Sequence, residues 1–167
     1  MEQWTAAYLD IETTGLSPFC DSLTVIGIFL CNDRDNEVIQ LVGEQANREN
    51  LVKTLKGVGV IYTYNGSRFD LPFIDASLGI NLEAEFCHHD LMYDCWSNNL
   101  YGGFKAVESQ LGIPRQLQGV GGLGAVLLWQ RYQDNNDQDA LALLLQYNKE
   151  DVVNLKALRE KLNDYQH

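Results

Sequence analysis

The chain is poor in basic residues. It carries 12 Lys and Arg against 23 Asp and Glu, a net charge of −11. That argues against a broad nucleic-acid-binding surface, which draws on basic patches. It also lacks a long apolar run. The richest stretch, Val25 to Cys31, is far short of the roughly 20 residues that span a bilayer. The start, Met1-Glu2-Gln3-Trp4-Thr5, lacks the basic segment and apolar stretch of a secretion signal. A soluble, cytoplasmic protein without membrane partners is therefore expected. No two of Cys20, Cys31, Cys87 and Cys95 form a C-x-x-C pair, which disfavours a structural zinc site. Cys87-His88-His89-Asp90 is no better, because neighbours on an extended chain point to opposite faces. Internal repeats, low-complexity tracts and linkers are lacking too.

What remains is an ordinary globular composition, 46% apolar over 167 residues. It predicts one domain over residues 1–167 with one core. Thr5–Ile11, Ser22–Cys31 and Glu37–Val42 read as strands, with a turn at Asn32–Asn36 joining an antiparallel meander. Gln45–Lys56 has helical spacing and ends at Gly57 and Gly59. Val58–Tyr64 returns to a strand. Asp70–Leu78 reads as a helix closed by Gly79, and Glu85–His88 as a last short strand. The rest is helical: Asp90–Asn98, Phe104–Leu111, Leu123–Tyr132 and Asp139–Leu162, with a break near Asn148. Strands followed by alternation and then helices predict an α/β fold, a mixed sheet with helices packed on it.

Chemistry concentrates in acids. Asp10 and Glu12 are two apart on a strand, so they share a face. Two acids on a buried face are costly unless something compensates their charge. Asp70 stands at a helix start, where it also suits an N-cap. Tyr147 and Asp151 are four apart and share a helix face. Separately, each has an ordinary structural explanation. In this order, on a strand end, a helix start and a late helix, they can meet at the carboxyl edge of a sheet. Converging carboxylates suit ions held by oxygen ligands, as in two-metal phosphodiester cleavage.

These residues resemble a known group. Asp10-Ile11-Glu12-Thr13-Thr14-Gly15 is similar to the first motif of the DnaQ-like, or DEDD, 3′–5′ exonucleases. Asn65 to Asp70 is similar to their second motif. Tyr147-Asn148-Lys149-Glu150-Asp151 is similar to the third in its tyrosine form, Y-x-x-x-D. The tail, from Gly102-Gly103-Phe104-Lys105 through Leu111-Gly112-Ile113 to Leu155, resembles the YprB-type branch of the ribonuclease H-like superfamily. The resemblance implies a ribonuclease H-like fold with a central five-stranded mixed sheet flanked by helices. It implies two Mg²⁺ or Mn²⁺ ions on Asp10, Glu12, Asp70 and Asp151, with Tyr147 positioning or activating the attacking water. Thr13, Thr14, Gly15 and Leu16 would touch the terminal nucleotide, with Asn65 shaping the same pocket and Phe69 fixing Asp70.

The expected activity is a 3′–5′ exonuclease acting on single-stranded DNA or RNA ends. An endonuclease on structured nucleic acid, and a catalytically weak binding module of the same fold, are the alternatives. Arg68, Lys105 and Lys149 are the candidate phosphate contacts. The acidic charge points to a footprint of a few nucleotides, or to delivery by a basic protein partner. Trp96, Trp129 and Tyr132 are expected in the core rather than at an interface.

Overall fold

A computed structural model describes residues 3–165. Met1 and Glu2, which the reading of the N-terminus used, and the last two residues of the expected 1–167 domain lie outside the described residues. Five strands form one sheet: β1 (Ala6–Thr13), β2 (Leu23–Cys31), β3 (Asn36–Val42), β4 (Val60–Thr63) and β5 (Cys87–Asp90), in the order β3-β2-β1-β4-β5. The β1–β2 and β2–β3 pairs are antiparallel, whereas β1–β4 and β4–β5 are parallel. This is the five-stranded mixed sheet that the sequence predicts.

Helices cover both faces. Ala7, Leu9 and Ile11 of β1 face a core built with α1 (Arg48–Leu55), α2 (Asp70–Leu78) and α3 (Leu82–Glu85). Ala6 and Tyr8 face the other way, toward α4 (Leu91–Ser97), α5 (Phe104–Leu111) and α7 (Gln138–Tyr165). The period-two alternation of β1 therefore puts Asp10 and Glu12 on the α7 side. A third cluster joins α6 (Gly122–Asn135) to α7 and the end of β2, through Val25, Ala125, Leu128, Leu144 and Tyr147. No helix among the described residues is long and apolar enough to cross a membrane.

Most element ends differ from expectation by one to three residues, and β4 is shorter, at Val60–Thr63 rather than Val58–Tyr64. Strand β1 extends past Ile11 to Thr13, with an irregularity between Glu12 and Thr13. The helix expected from Gln45 starts at Arg48, because Asn47 caps it by accepting the Asn50 N–H at 2.9 Å. The last strand lies at Cys87–Asp90, since Asn81 caps a helical turn through Glu85. Helix α6 starts a residue early and runs on until Asn136 turns left-handed, at φ 51°. Helix α7 is unbroken, and Asn148 is wholly buried within it. Trp96, Trp129 and Tyr132 are half-buried rather than core.

Asp90 fastens the sheet end to the next turn. Its carboxylate accepts the backbone N–H of Asn65 at 2.8 Å, of Ser67 at 3.2 Å and of Met92 at 3.1 Å. The first two belong to the turn that leads into Asp70. Asn65 holds a left-handed φ of 60° there, a conformation Asn tolerates better than most residues. Replacing Asp90 with Ala strands three donors, two in the turn and one at the start of α4. It should lower the unfolding free energy by about 2–3 kcal/mol. Urea titration checks this, and a loss below about 0.5 kcal/mol would show that the turn holds without the carboxylate.

Candidate active site

Strand β4 pairs with β1 only from Ala6 to Tyr8. Beyond that, the β4 side of β1 is open. There the N–H of Ile11 finds the Asp70 carboxylate, 3.1 Å away, instead of a neighbouring strand. Asp70 therefore does not serve mainly as a cap for its own helix. It closes the sheet edge and sits beside the acids of β1.

The Asp10, Glu12 and Asp151 carboxylates each offer an oxygen, and these atoms lie within 4.8 Å of one another. Glu12, Asp70 and Asp151 are all buried. Glu12 Oε1 has no hydrogen-bond partner. Such a group is costly to leave unmade. Burial first, then the charge of Asp151, pushes the Asp10 and Glu12 carboxyls well above the usual carboxylate range. Burial also raises Asp151, against the pull of Arg115. It lifts Asp70 to about 7, against the N–H bonds it accepts. Three converging carboxylates, an unpartnered Glu12 oxygen and mutual repulsion fit a divalent cation with oxygen preference.

The sequence reading did not single out Arg115. Its guanidinium is buried, forks onto Glu108 at 2.7–3.0 Å and pairs with Asp151. Asn154 of α7 donates to Glu108 Oε2 at 2.7 Å and to Pro114 O at 3.2 Å. Glu150 accepts the N–H of Gln116 at 2.7 Å and of Leu117 at 3.1 Å. One turn of α7 thus anchors both Asp151 and the loop that carries its arginine. The sequence reading did not single out Glu108, Glu150 or Asn154 either, although Glu150 and Asn154 lie within the quoted stretch from Tyr147 to Leu155.

Tyr147 lines the same cleft and is buried. Lys105 Nζ donates to its hydroxyl at 2.6 Å and lies 4.3 Å from the ring centre. Burial, then Asp151, Glu12 and Asp10, pushes the phenol further above its ordinary value. Tyr147 therefore stays neutral.

Thr13, Thr14, Gly15 and Leu16 line a cleft of about 460 Å³ together with the acids, Phe69, Leu123 and Val126. Asp21 pins this loop, accepting the Ser17 N–H at 2.9 Å and the Thr14 hydroxyl at 3.3 Å. Asn65 and Arg68 are not brought to the cleft lining. Asn65 stands in the turn held by Asp90. Arg68 lies over the Trp96 ring, 5.4 Å from its centre. Lys149 is exposed on α7. Of the three expected phosphate contacts, Lys105 alone comes to the acids, lining an adjoining pocket that shares Asp10, Tyr147 and Asp151 with the cleft. His88 and His89 pair separately, with Glu83 and Asp94, and among the described residues the one metal-like cluster is Asp10, Glu12 and Asp151.

This sheet with its acidic edge is the ribonuclease H-like architecture. A family model described as the RNase H superfamily matches residues 7–163, so the chain belongs to that superfamily. Among solved structures it is similar to Brucella melitensis NrnC bound to pGG, at 25% identity and TM-score 0.65, over 97% of this chain and 73% of that one. The same protein with bound Mg²⁺ matches at 24% identity and TM-score 0.64, with the same coverage. The family B DNA polymerase of the hyperthermophilic archaeon Pyrobaculum calidifontis shares the fold at 17% identity and TM-score 0.68. There the match spans 96% of this chain and 25% of the polymerase. A search of curated proteins finds no match.

The raised carboxyls set a pH dependence. Groups with a folded pKa above the unfolded value stabilise the fold at low pH and lose that contribution as pH rises through the folded value. For Asp70 the window runs from about 4, the unfolded value, to about 7. The metal-free protein should therefore melt at a lower temperature near neutrality than around pH 5. Mn²⁺ should raise the melting temperature more at neutral pH than in acid. Scanning calorimetry with and without the ion tests both, and a metal-free melting temperature that climbs with pH would contradict the assignment.

Proposed function

We propose that the protein is a metal-dependent 3′–5′ exonuclease that shortens single-stranded DNA or RNA ends. The observation that carries this reading is the buried cluster of Asp10, Glu12 and Asp151, with one orphaned oxygen, on the floor of a cleft. The similarity to NrnC, solved with Mg²⁺ and with pGG, supports it. Asp10, Glu12 and Asp151 would hold the first of two Mg²⁺ or Mn²⁺ ions, and Asp10 with Asp70 the second. When bound, such ions neutralise the attacking and leaving oxygens of an in-line displacement.

The chain's own residues supply the rest. Asp70 is tied to the Ile11 N–H, so it fixes the β1 backbone between the two acids while facing the same edge. Tyr147, already accepting a hydrogen bond from Lys105, has its own O–H free to donate. We assign it to orienting the attacking water or a phosphate oxygen, since a phenol raised by burial is a poor base. Lys105 brings positive charge to the scissile phosphate.

The β1–β2 loop would receive the terminal nucleotide. Thr13 donates its hydroxyl to Gly15 O at 2.6 Å, which curls the loop over the cleft. Leu16 and Leu123 stand exposed at its rim. These apolar surfaces suit bases, whose π-faces bind without basic charge. A substrate gripped this way needs only a few nucleotides, consistent with an acidic protein. Asn65 contributes by shaping the turn before Asp70, and Arg68 by bracing α4.

Digestion of 5′-labelled single-stranded DNA and RNA with Mn²⁺ tests the proposal. A ladder shortening from the 3′ end is expected. Asp10→Ala and Asp151→Ala should each lower the rate at least about a thousandfold. Wild-type rates in both variants, or cleavage of circular strands at the same rate as linear ones, would overturn it.

A further inference from the structure

Asn148 presents an oddity. It is wholly buried in the middle of the longest helix, with a polar side chain aimed at the sheet. Its seat is Gly27, the residue that pairs with Asp10 across β1 and β2. A Cβ built on Gly27 would lie 2.8 Å from Asn148 Cγ and nearer still to its Oδ1. Any side chain there would push the amide off the sheet, and glycine lets it approach.

The orientation of that amide is forced. Gln40 Nε2 donates to Leu145 O at 2.7 Å, and a backbone carbonyl can only accept. The same nitrogen donates to Asn148 Oδ1 at 3.0 Å. The Asn148 oxygen is thereby committed toward β3. Its Nδ2 must face the other way, where it donates to Asp10 O at 3.3 Å and lies 3.4 Å from Asp10 Oδ2. The chain of donors runs from β3 through α7 to β1 and ends on a carboxylate of the cluster. Asparagine satisfies both ends of it, and a buried residue needs both satisfied.

We propose that Asn148 is a positioning residue: seated on Gly27 and oriented by Gln40, it holds the Asp10 backbone and carboxylate where the metal ligands converge. This rests on the reading of the cluster as a metal site, and deepens it. Ligand partners of this kind typically change metal affinity 10–100-fold when removed. Asn148→Leu keeps the branched shape and removes the donor, so packing survives while the hold on Asp10 is lost. Gln40→Met leaves Asn148 in place but frees its amide to turn over.

Two readouts separate positioning from packing. In crystals of the metal-free proteins, Asp10 should leave its wild-type rotamer in Asn148→Leu. By isothermal titration calorimetry, Mn²⁺ should bind at least roughly tenfold more weakly to Asn148→Leu, with a smaller loss of a few-fold in Gln40→Met. Should Asn148→Leu fail to fold, Gln40→Met still carries the test. An unmoved Asp10 together with wild-type affinity overturns the positioning role. If the wild-type protein takes up no Mn²⁺, the metal reading of the cluster falls instead, and the Asp10 rotamer alone decides what Asn148 does.

Discussion

Burial of acids at one sheet edge, sharpened by their repulsion, governs this structure. Asp10, Glu12, Asp70 and Asp151 influence one another, and burial denies them water. Such a group of charges is stable only when neighbours compensate it. The chain supplies some compensation. Ile11 gives Asp70 an N–H, Asn148 gives one to Asp10, and Arg115 pairs with Asp151. The arginine is shared with Glu108, however, so it arrives already half neutralised. With Lys105, five carboxylates face two cations. The remaining deficit is what a divalent cation relieves, and the raised carboxyls and the orphaned Glu12 oxygen are two symptoms of it.

The topology explains why the acids gather where they do. Strands β1, β4 and β5 run parallel, so their carboxyl ends share one edge. Two of them carry acids at that edge: Glu12 of the cluster on β1, and Asp90, which holds the turn before Asp70, on β5. Because β4 stops short of Ile11, the turn after it can bend back and deliver Asp70 into the gap. A longer β4 would pair with β1 and shut Asp70 out. Helix α7 then crosses this edge and brings Tyr147, Asn148 and Asp151 within one turn.

Much of this was legible in the chain, because it depends on local periods. The period of two puts Asp10 and Glu12 on one face, and the spacing of four does the same for Tyr147 and Asp151. The sheet and its antiparallel meander followed from alternation and turn residues. The failures share one cause, which is partners far apart in sequence. Asn148 reads as a helix breaker by its propensity, but bonds to Gln40 and Asp10 override that. Arg115 looks like a loop charge until the fold brings Asp151 to it. Arg68 suits a phosphate contact by its place beside Asp70. Its guanidinium ends on Trp96 of α4 instead, a partner distant in sequence. Two element starts shifted for a smaller reason: Asn47 and Asn81 cap helices, moving the start of α1 by three residues and that of β5 by two.

The division between scaffold and loop carries a mechanistic consequence. The proposed ligands sit on β1, α2 and α7, elements held by the two cores on either side of the sheet. The residues proposed to meet substrate sit on the β1–β2 loop and at the start of α6. That loop is fixed locally: Asp21 binds Ser17 and Thr14, and Gly15 packs so close to the Asp21 carboxylate that a Cβ would lie 2.6 Å from its Cγ. Asp21 is itself on the loop, so the loop is pinned to its own body rather than to the acids. Positions such as Leu16 and Leu123 can therefore vary in size or polarity without disturbing the carboxylates. Geometry for the chemistry is rigid, and recognition is left to surfaces that are free to change. On the proposed reading, an acidic protein selects a nucleic-acid end by shape and stacking, with Lys105 and Arg115 as the basic side chains set among the acids.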